Sequence, residues 1–318
     1  MQYIGGISII SYMSPLLSLG GPVLRVIDLQ LELAYYQKFK MKPVRRNRGK
    51  DGREIVELAF DVDDDNAVSQ INNSPILTLI HDPEASRPHQ RSAGLFHFAI
   101  LTPNRKSLAA TFVSLENQEI QFVGFADHLV SESLYLQDPE ENGIEIYCDR
   151  PREQWRFDKN GHVQMDTIAL DLKSLLSELC QSDNMTTRVS ASKNLRPFPR
   201  GGTIGHIHLK VTNLAASTNF YREILGFDLM QSMHGASFLS AEGYHHRLAL
   251  NTWLSRAGIS LKGGEAGLEY FTIHFFDEVF YRDLLARVPK PSSHTVGTNK
   301  VMVTDPDGIR IKLSYNGR

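Results

Sequence analysis

The chain switches repeatedly between two rhythms of apolar and polar residues. From Gly205 to Val211 the two kinds alternate, with Ile207, Leu209 and Val211 on one face, which is the period of a half-buried strand. From Ala215 to Phe227 the period becomes helical, with Phe220, Ile224 and Leu225 clustering, and Gly226 marks the stop. The same strand-then-helix phrase returns in weaker form at Val23–Leu29 followed by 33–39. It returns again at Gly94–Ile100 with a helix over 106–117, and at Leu268–Ile273 with a helix over 277–288. Two closing phrases also match: Asp138-Pro139 leading into Ile144-Glu145-Ile146-Tyr147, and Asp305-Pro306 leading into Ile309-Arg310-Ile311-Lys312-Leu313. Each is a turn-forming Asp-Pro followed by an alternating strand.

A phrase repeated at this spacing is one supersecondary unit used several times. The predicted units, each a strand, a helix and further strands, cover 14–85, 91–150, 201–255 and 262–318. Residues 1–13 read as an N-terminal extension, with Met13 a candidate start, and 151–200 as a polar connector with a helix near 170–180.

Composition narrows the function classes. The 318 residues are 42% hydrophobic and 22% charged with a formal net charge of −2, as expected of a soluble globular protein of about two domains. That balance offers no general attraction for nucleic acid or an anionic membrane. The Arg/Lys run over 40–53 is short and interrupted, and reads as a solvated hairpin. Cys148 and Cys180 have no paired spacing, which argues against a disulfide framework or a thiolate zinc site and fits a reducing compartment. Residues 1–19 are mildly apolar but broken by Gly5, Gly6 and Pro15, so neither a signal peptide nor a membrane span is expected. The expected location is the cytoplasm.

The repeated units resemble the vicinal oxygen chelate superfamily of glyoxalases, bleomycin-resistance proteins and type I extradiol dioxygenases. The phrases Ala126-Asp127-His128-Leu129-Val130-Ser131-Glu132-Ser133-Leu134-Tyr135-Leu136 and Ile144–Trp155 are more specific, and look like the bacterial catechol-2,3-dioxygenase branch. The resemblance implies an α+β fold of four βαβββ modules. They would form two open, U-shaped, barrel-like domains with helices on the outside. It also implies a metal held by residues on the opening strand and the closing strand of a module.

Carried over position by position, the first module offers Gly21, the second His97 and Glu145, the third His206, and the fourth Tyr270 and Lys312. A lysine ammonium beside a divalent cation is strongly disfavoured, so modules three and four make a poor pair. Modules two and three together supply His97, Glu145 and His206, the 2-His-1-carboxylate set that leaves open positions on non-haem Fe(II). Modules two and three are therefore expected to form the metal barrel, and modules one and four a metal-free scaffold barrel. Alternation places His97 and Ala99 on one strand face, with Phe96, Phe98 and Ile100 on the other.

The resemblance further implies catalytic roles for His246, in the acid–base position of Tyr244-His245-His246-Arg247, and for Tyr135, which would bond a catechol oxygen. His128 lies two places off the family's further active-site histidine, and His245 competes with His246 for the position facing the metal. His208 shares a face with His206, with a structural role favoured. His81, His89, His162, His234, His274 and His294 match no motif position.

The expected activity is Fe(II)-dependent insertion of O2 into a catechol-type diol, with Mn(II) acceptable to the same ligands. The substrate would be a small aromatic diol together with O2, with no nucleic acid or membrane partner. An unpaired sheet edge in each barrel suits a homo-oligomer. A glyoxalase-like isomerase or lyase, and a metal-free binding protein of the same fold, are the competing readings.

Overall fold

The computed structural model describes residues 16–60, 75–159, 161–179 and 202–317. The expected N-terminal extension over 1–13, Cys180 and the later part of the connector lie outside the described residues.

The first module carries β1 (Leu17–Leu19), β2 (Val23–Val26), α1 (Leu29–Lys38), β3 (Met41–Arg48), β4 (Glu54–Phe60) and β5 (Leu77–His81). The second carries β6 (Gly94–Leu101), α2 (Arg105–Glu116), β7 (Phe122–Asp127), β8 (Ser131–Gln137) and β9 (Gly143–Asp149). A short α3 (Leu172–Ser177) stands in the connector. The third module carries β10 (Thr203–Lys210), α4 (Leu214–Asn219), β11 (Asp228–Met233), β12 (Ala236–Ser240) and β13 (Leu248–Asn251). The fourth carries β14 (Gly267–Phe275), α5 (Glu278–Arg287), β15 (Ser293–Gly297), β16 (Lys300–Thr304) and β17 (Arg310–Tyr315).

The helices of the four modules start in the same way. Asp28, Asn104, Asn213 and Asp277 sit at the N-caps, and each side chain accepts from the backbone N–H three residues on, at 3.0, 2.9, 3.1 and 2.7 Å. Each such cap contributes about 1 kcal/mol. This explains why α1 begins at Leu29, which the apolar pattern had assigned to the preceding strand. The helix expected over 215–227 is α-helical only to Asn219 and widens into a π turn over Phe220–Ile224. It ends at Gly226, whose φ of +76° is readily adopted only by glycine. The basic run forms the β3–β4 hairpin, where Arg45–Glu57 and Arg46–Glu54 pair at 3.0 Å each on the surface.

Two sheets result. One runs β15-β16-β17-β14-β2-β5-β4-β3, with β1 added against β14; the other runs β11-β12-β13-β10-β6-β9-β8-β7. In each module the opening strand lies parallel to the closing strand: β2 with β5, β6 with β9, β10 with β13, and β14 with β17. That pairing brings residues almost fifty positions apart, such as Ala99 and Glu145, directly opposite each other. At the centre of the eight-stranded sheet β6 and β10 run antiparallel, with His97 opposite His208 and Ala99 opposite His206. The helix-facing sides of both sheets fill one apolar core that includes Phe98, Ile100, Ile144, Ile146, Ile207 and Leu209. Among the described residues no helix is long and apolar enough to cross a membrane.

Candidate metal centre

His97, Glu145 and His206 project from the three adjacent strands β6, β9 and β10, and each is almost completely buried. Their ligand atoms converge: His97 Nε2 lies 2.9 Å and His206 Nε2 3.0 Å from the same oxygen, Glu145 Oε2. The two imidazole nitrogens are 3.3 Å apart. Protons alone satisfy this arrangement badly. If both nitrogens carry hydrogens, the hydrogens crowd at one oxygen; if one does not, its lone pair faces a carboxylate. A cation among the three satisfies all of them, and N,N,O donors suit a divalent transition metal.

The electrostatics agree with ligation. Burial works to raise the Glu145 carboxyl, but the neighbouring His206 and His97 outweigh it and hold the group well below the usual carboxylate range. Burial pushes His206 down to about 4. A carboxylate beside a neutral imidazole is the protonation state that metal binding requires. Among the described residues this is a three-donor group with the geometry of a metal site, and it is fully buried.

Comparison with known proteins gives the same direction. Residues 203–313 match the model of the Glyoxalase/Bleomycin resistance protein/Dioxygenase superfamily. A protein of Bacillus subtilis (strain 168), "Catechol-2,3-dioxygenase", is 38% identical over 236 residues, covering 73% of this chain and 78% of that protein. The chain belongs to the glyoxalase/bleomycin resistance/dioxygenase superfamily. Within it the chain is close to the catechol-2,3-dioxygenase members. The fold agrees across wide sequence distance. A crystal structure from Bacillus subtilis superposes with a TM-score of 0.58 at 10% identity, covering 93% of this chain and 84% of that one. Glyoxalase I from Zea mays superposes at 0.53 and 17% identity, with 93% and 92% covered.

The surroundings of the three donors bear on the chemistry they can support. The site opens into a cavity of about 550 Å³ lined by Tyr135, His128, His208 and His246 together with apolar residues. Tyr135 Oη lies 2.6 Å from His128 Nε2, while His128 Nδ1 lies 2.9 Å from the backbone oxygen of Asp166. A carbonyl only accepts, so a neutral His128 carries its proton on Nδ1 and its Nε2 accepts from the Tyr135 hydroxyl. His128 lies in the β7–β8 turn, where Leu129 adopts a φ of +68°. His246 lines the cavity with its ring 4.2 Å from that of His206, whereas His245 turns away to Asp149 at 2.9 Å. Both precede β13, in a bend and not within a strand. His208 accepts from the Asn251 side chain at 2.9 Å.

One sequence expectation is corrected at the cavity wall. Strict alternation puts Phe96 on the face opposite His97. Instead the ladder shifts between His208 and Leu209, which face His97 and Leu95, so Phe96 is bulged out of register. A bulge re-aims a side chain, and Phe96 lines the cavity with its ring 4.9 Å from His208 and 5.5 Å from Trp253. His234, which matches no motif, also lies on the lining.

Sequence reasoning missed Ser133. Its hydroxyl donates to Glu145 Oε1 at 2.6 Å from the adjoining strand β8, fixing the carboxylate oxygen that faces away from the histidines. An alternating Ser-x-Ser strand beside the glutamate strand was the available signal. His206 Nδ1 is buried with no hydrogen-bond partner. Its ring is held instead between Tyr147 at 4.9 Å and His246 at 4.2 Å. In the nine-stranded sheet, Tyr270 and Lys312 stand together, with the ammonium 4.8 Å above the phenol ring.

Proposed function

We propose that the protein is a cytoplasmic Fe(II)-dependent extradiol dioxygenase that inserts O2 into an uncharged catechol-type diol. The observation carrying this reading is the convergence of His97 and His206 on one oxygen of Glu145, at the end of a cavity that also presents Tyr135 and His246. The bound ion would supply a Lewis acid that lowers the pKa of the diol and leaves positions for both substrates.

The remaining steps fall to the side chains. His246 stands on the cavity side of His206 and takes a proton from one diol hydroxyl, to return it before oxygen enters the ring. Tyr135 donates to His128, so its oxygen keeps lone pairs for the second diol hydroxyl and can hand that proton on to His128 Nε2. Met165, Met233, Phe96, Phe238 and Trp253 form an apolar wall that excludes water and orients the ring. Among the described residues no lysine or arginine lines the cavity, which favours a diol without a carboxylate. The volume lies within the roughly 300–1,000 Å³ of small-molecule pockets and leaves room for an apolar ring substituent. A glyoxalase-like isomerase acting on an anionic conjugate would call for a lysine or arginine, and the described lining residues include neither.

The test is anaerobic purification, metal analysis, and addition of catechol with air. Bound iron and a yellow ring-opened product, both lost in His97→Ala and Glu145→Ala, are the expected result. Iron without product from catechol or 3-phenylcatechol would remove the dioxygenase reading.

A further inference from the structure

Behind the cavity, Asp149 at the end of β9 gathers hydrogen bonds that the reaction described above does not use. It accepts from the Tyr244 hydroxyl at 3.0 Å on each oxygen, and His245 Nε2 lies 2.9 Å from Oδ1. His245 is completely buried, with its ring 5.3 Å from that of Trp155. Its other nitrogen, Nδ1, lies 2.8 Å from Nδ1 of His246.

Each contact constrains the next. A carboxylate only accepts, so His245 Nε2 carries a hydrogen. Burial pushes the His245 imidazole toward its neutral form, more strongly than Asp149 pulls the other way. The neutral ring has then spent its one N–H on Asp149, and its Nδ1 is bare. The 2.8 Å contact between the two Nδ1 atoms needs one hydrogen, which His246 must supply. A neutral His246 with Nδ1–H has a bare Nε2, and this is the nitrogen left for the cavity.

We propose that Asp149 and His245 are positioning residues that set the tautomer of His246, keeping its Nε2 unprotonated toward the diol. The functional consequence rests on the reading of His246 as the acid–base group; the tautomer itself does not. A base held in the wrong tautomer presents a hydrogen where a lone pair is needed, and that alone can cost most of an enzyme's rate.

The test uses 15N-histidine-labelled protein loaded with Zn(II), a diamagnetic ion, and long-range 1H–15N correlations, with the His246 signals identified by their loss in His246→Gln. Wild type should show His246 protonated at Nδ1 and bare at Nε2. Asp149→Asn places an amide N–H opposite His245 Nε2 and allows the chain to reverse, so His246 Nε2–H should appear. Asp149→Glu, which keeps a carboxylate, should retain the wild-type pattern at least in part. Tyr244→Phe, which removes a donor to Asp149 but keeps the ring whose centroid lies 4.0 Å from that of His245, should retain it fully. In the iron-loaded enzyme, Asp149→Asn should lower kcat on the order of 10²-fold with metal content and KM little changed. Wild-type His246 protonated at Nε2, or an unaltered tautomer in Asp149→Asn, would overturn the proposal whatever the activity. The expected tautomers in a protein that cleaves no diol would leave the assignment standing and remove the dioxygenase reading instead.

Discussion

The Tyr36 hydroxyl donates to Asp138 Oδ2 at 2.9 Å, joining helix α1, which packs on one sheet, to the Asp-Pro turn that feeds β9 in the other. The second half of the chain repeats the contact: Tyr221 donates to Asp305 Oδ2 at 3.0 Å. Two residues on, the repetition continues. Glu140 accepts from the backbone of Ile27 and Asp28 at 2.8 Å, and Asp307 accepts from Thr212 N at 3.0 Å. Consecutive modules are therefore clasped through a tyrosine and two acids, while their strands go to different sheets.

If the clasp couples the sheets, Tyr36→Phe should destabilise the whole protein. The variant strips one donor from a buried carboxylate, a loss of about 1–3 kcal/mol. Tyr221→Phe should cost a similar amount. Urea unfolding followed by fluorescence and by circular dichroism measures both. A single shared transition moved to lower urea is expected; an unmoved midpoint would mean that the sheets are held together by apolar packing alone.

The same turns impose a pH dependence. Burial, partly opposed by backbone hydrogen bonds, raises the Asp305 carboxyl to about 7 from an ordinary 3.8. Between those values the folded state holds a proton that the unfolded chain has released. Stability from this group is therefore fully present below about pH 4 and is lost as pH rises to about 7. Asn at this position can still accept the Asp307 and Ile309 backbone N–H bonds, both 2.9 Å. The difference in unfolding free energy between wild type and Asp305→Asn should accordingly shift against wild type across pH 4–7 and stay flat above. A constant difference across that range would show that Asp305 is ionised throughout.

Tyr135→Phe tests the proton route through His128. The hydroxyl is the group His128 Nε2 accepts from at 2.6 Å, and removing it leaves the ring packing against His97, 5.7 Å between centroids, in place. The expected loss is on the order of 10²-fold in kcat/KM, with iron content and thermal stability near wild type. A loss confined to metal content would mean that the hydroxyl supports the ion and not the substrate.

Much of this was legible from residues whose physics is local. The four-module α+β fold followed from a strand period turning helical at the same phase, and the Asx cap before each module helix repeats that phase in the structure. The convergence of His97, Glu145 and His206 was reachable because the family resemblance marked the candidate positions and an ammonium at Lys312 is incompatible with a cation, and the sheet order does set β10, β6 and β9 side by side. What escaped depends on register. One extra residue in β6 turns Phe96 to the cavity, and periodicity alone carries no signal of a bulge. The Asp149–His245 contact joins residues 96 positions apart through side chains whose direction no pattern reports.

Ser133 offers the most direct measure of how far the protein, beyond the three donors, builds the metal site. Its hydroxyl is completely buried and donates at 2.6 Å to the Glu145 oxygen that the histidines leave unused. Without it the carboxylate loses the contact that fixes its rotation, and the buried Oε1 loses its donor. Partners of this kind typically contribute 10–100-fold in metal affinity, so Ser133→Ala should weaken binding by about that factor while leaving the fold intact. Competition against a chelator of known affinity, with circular dichroism as the control, reads the effect directly. Affinity equal to wild type would mean that strand β9 alone orients Glu145, and that the short contact packs the strands without tuning the site.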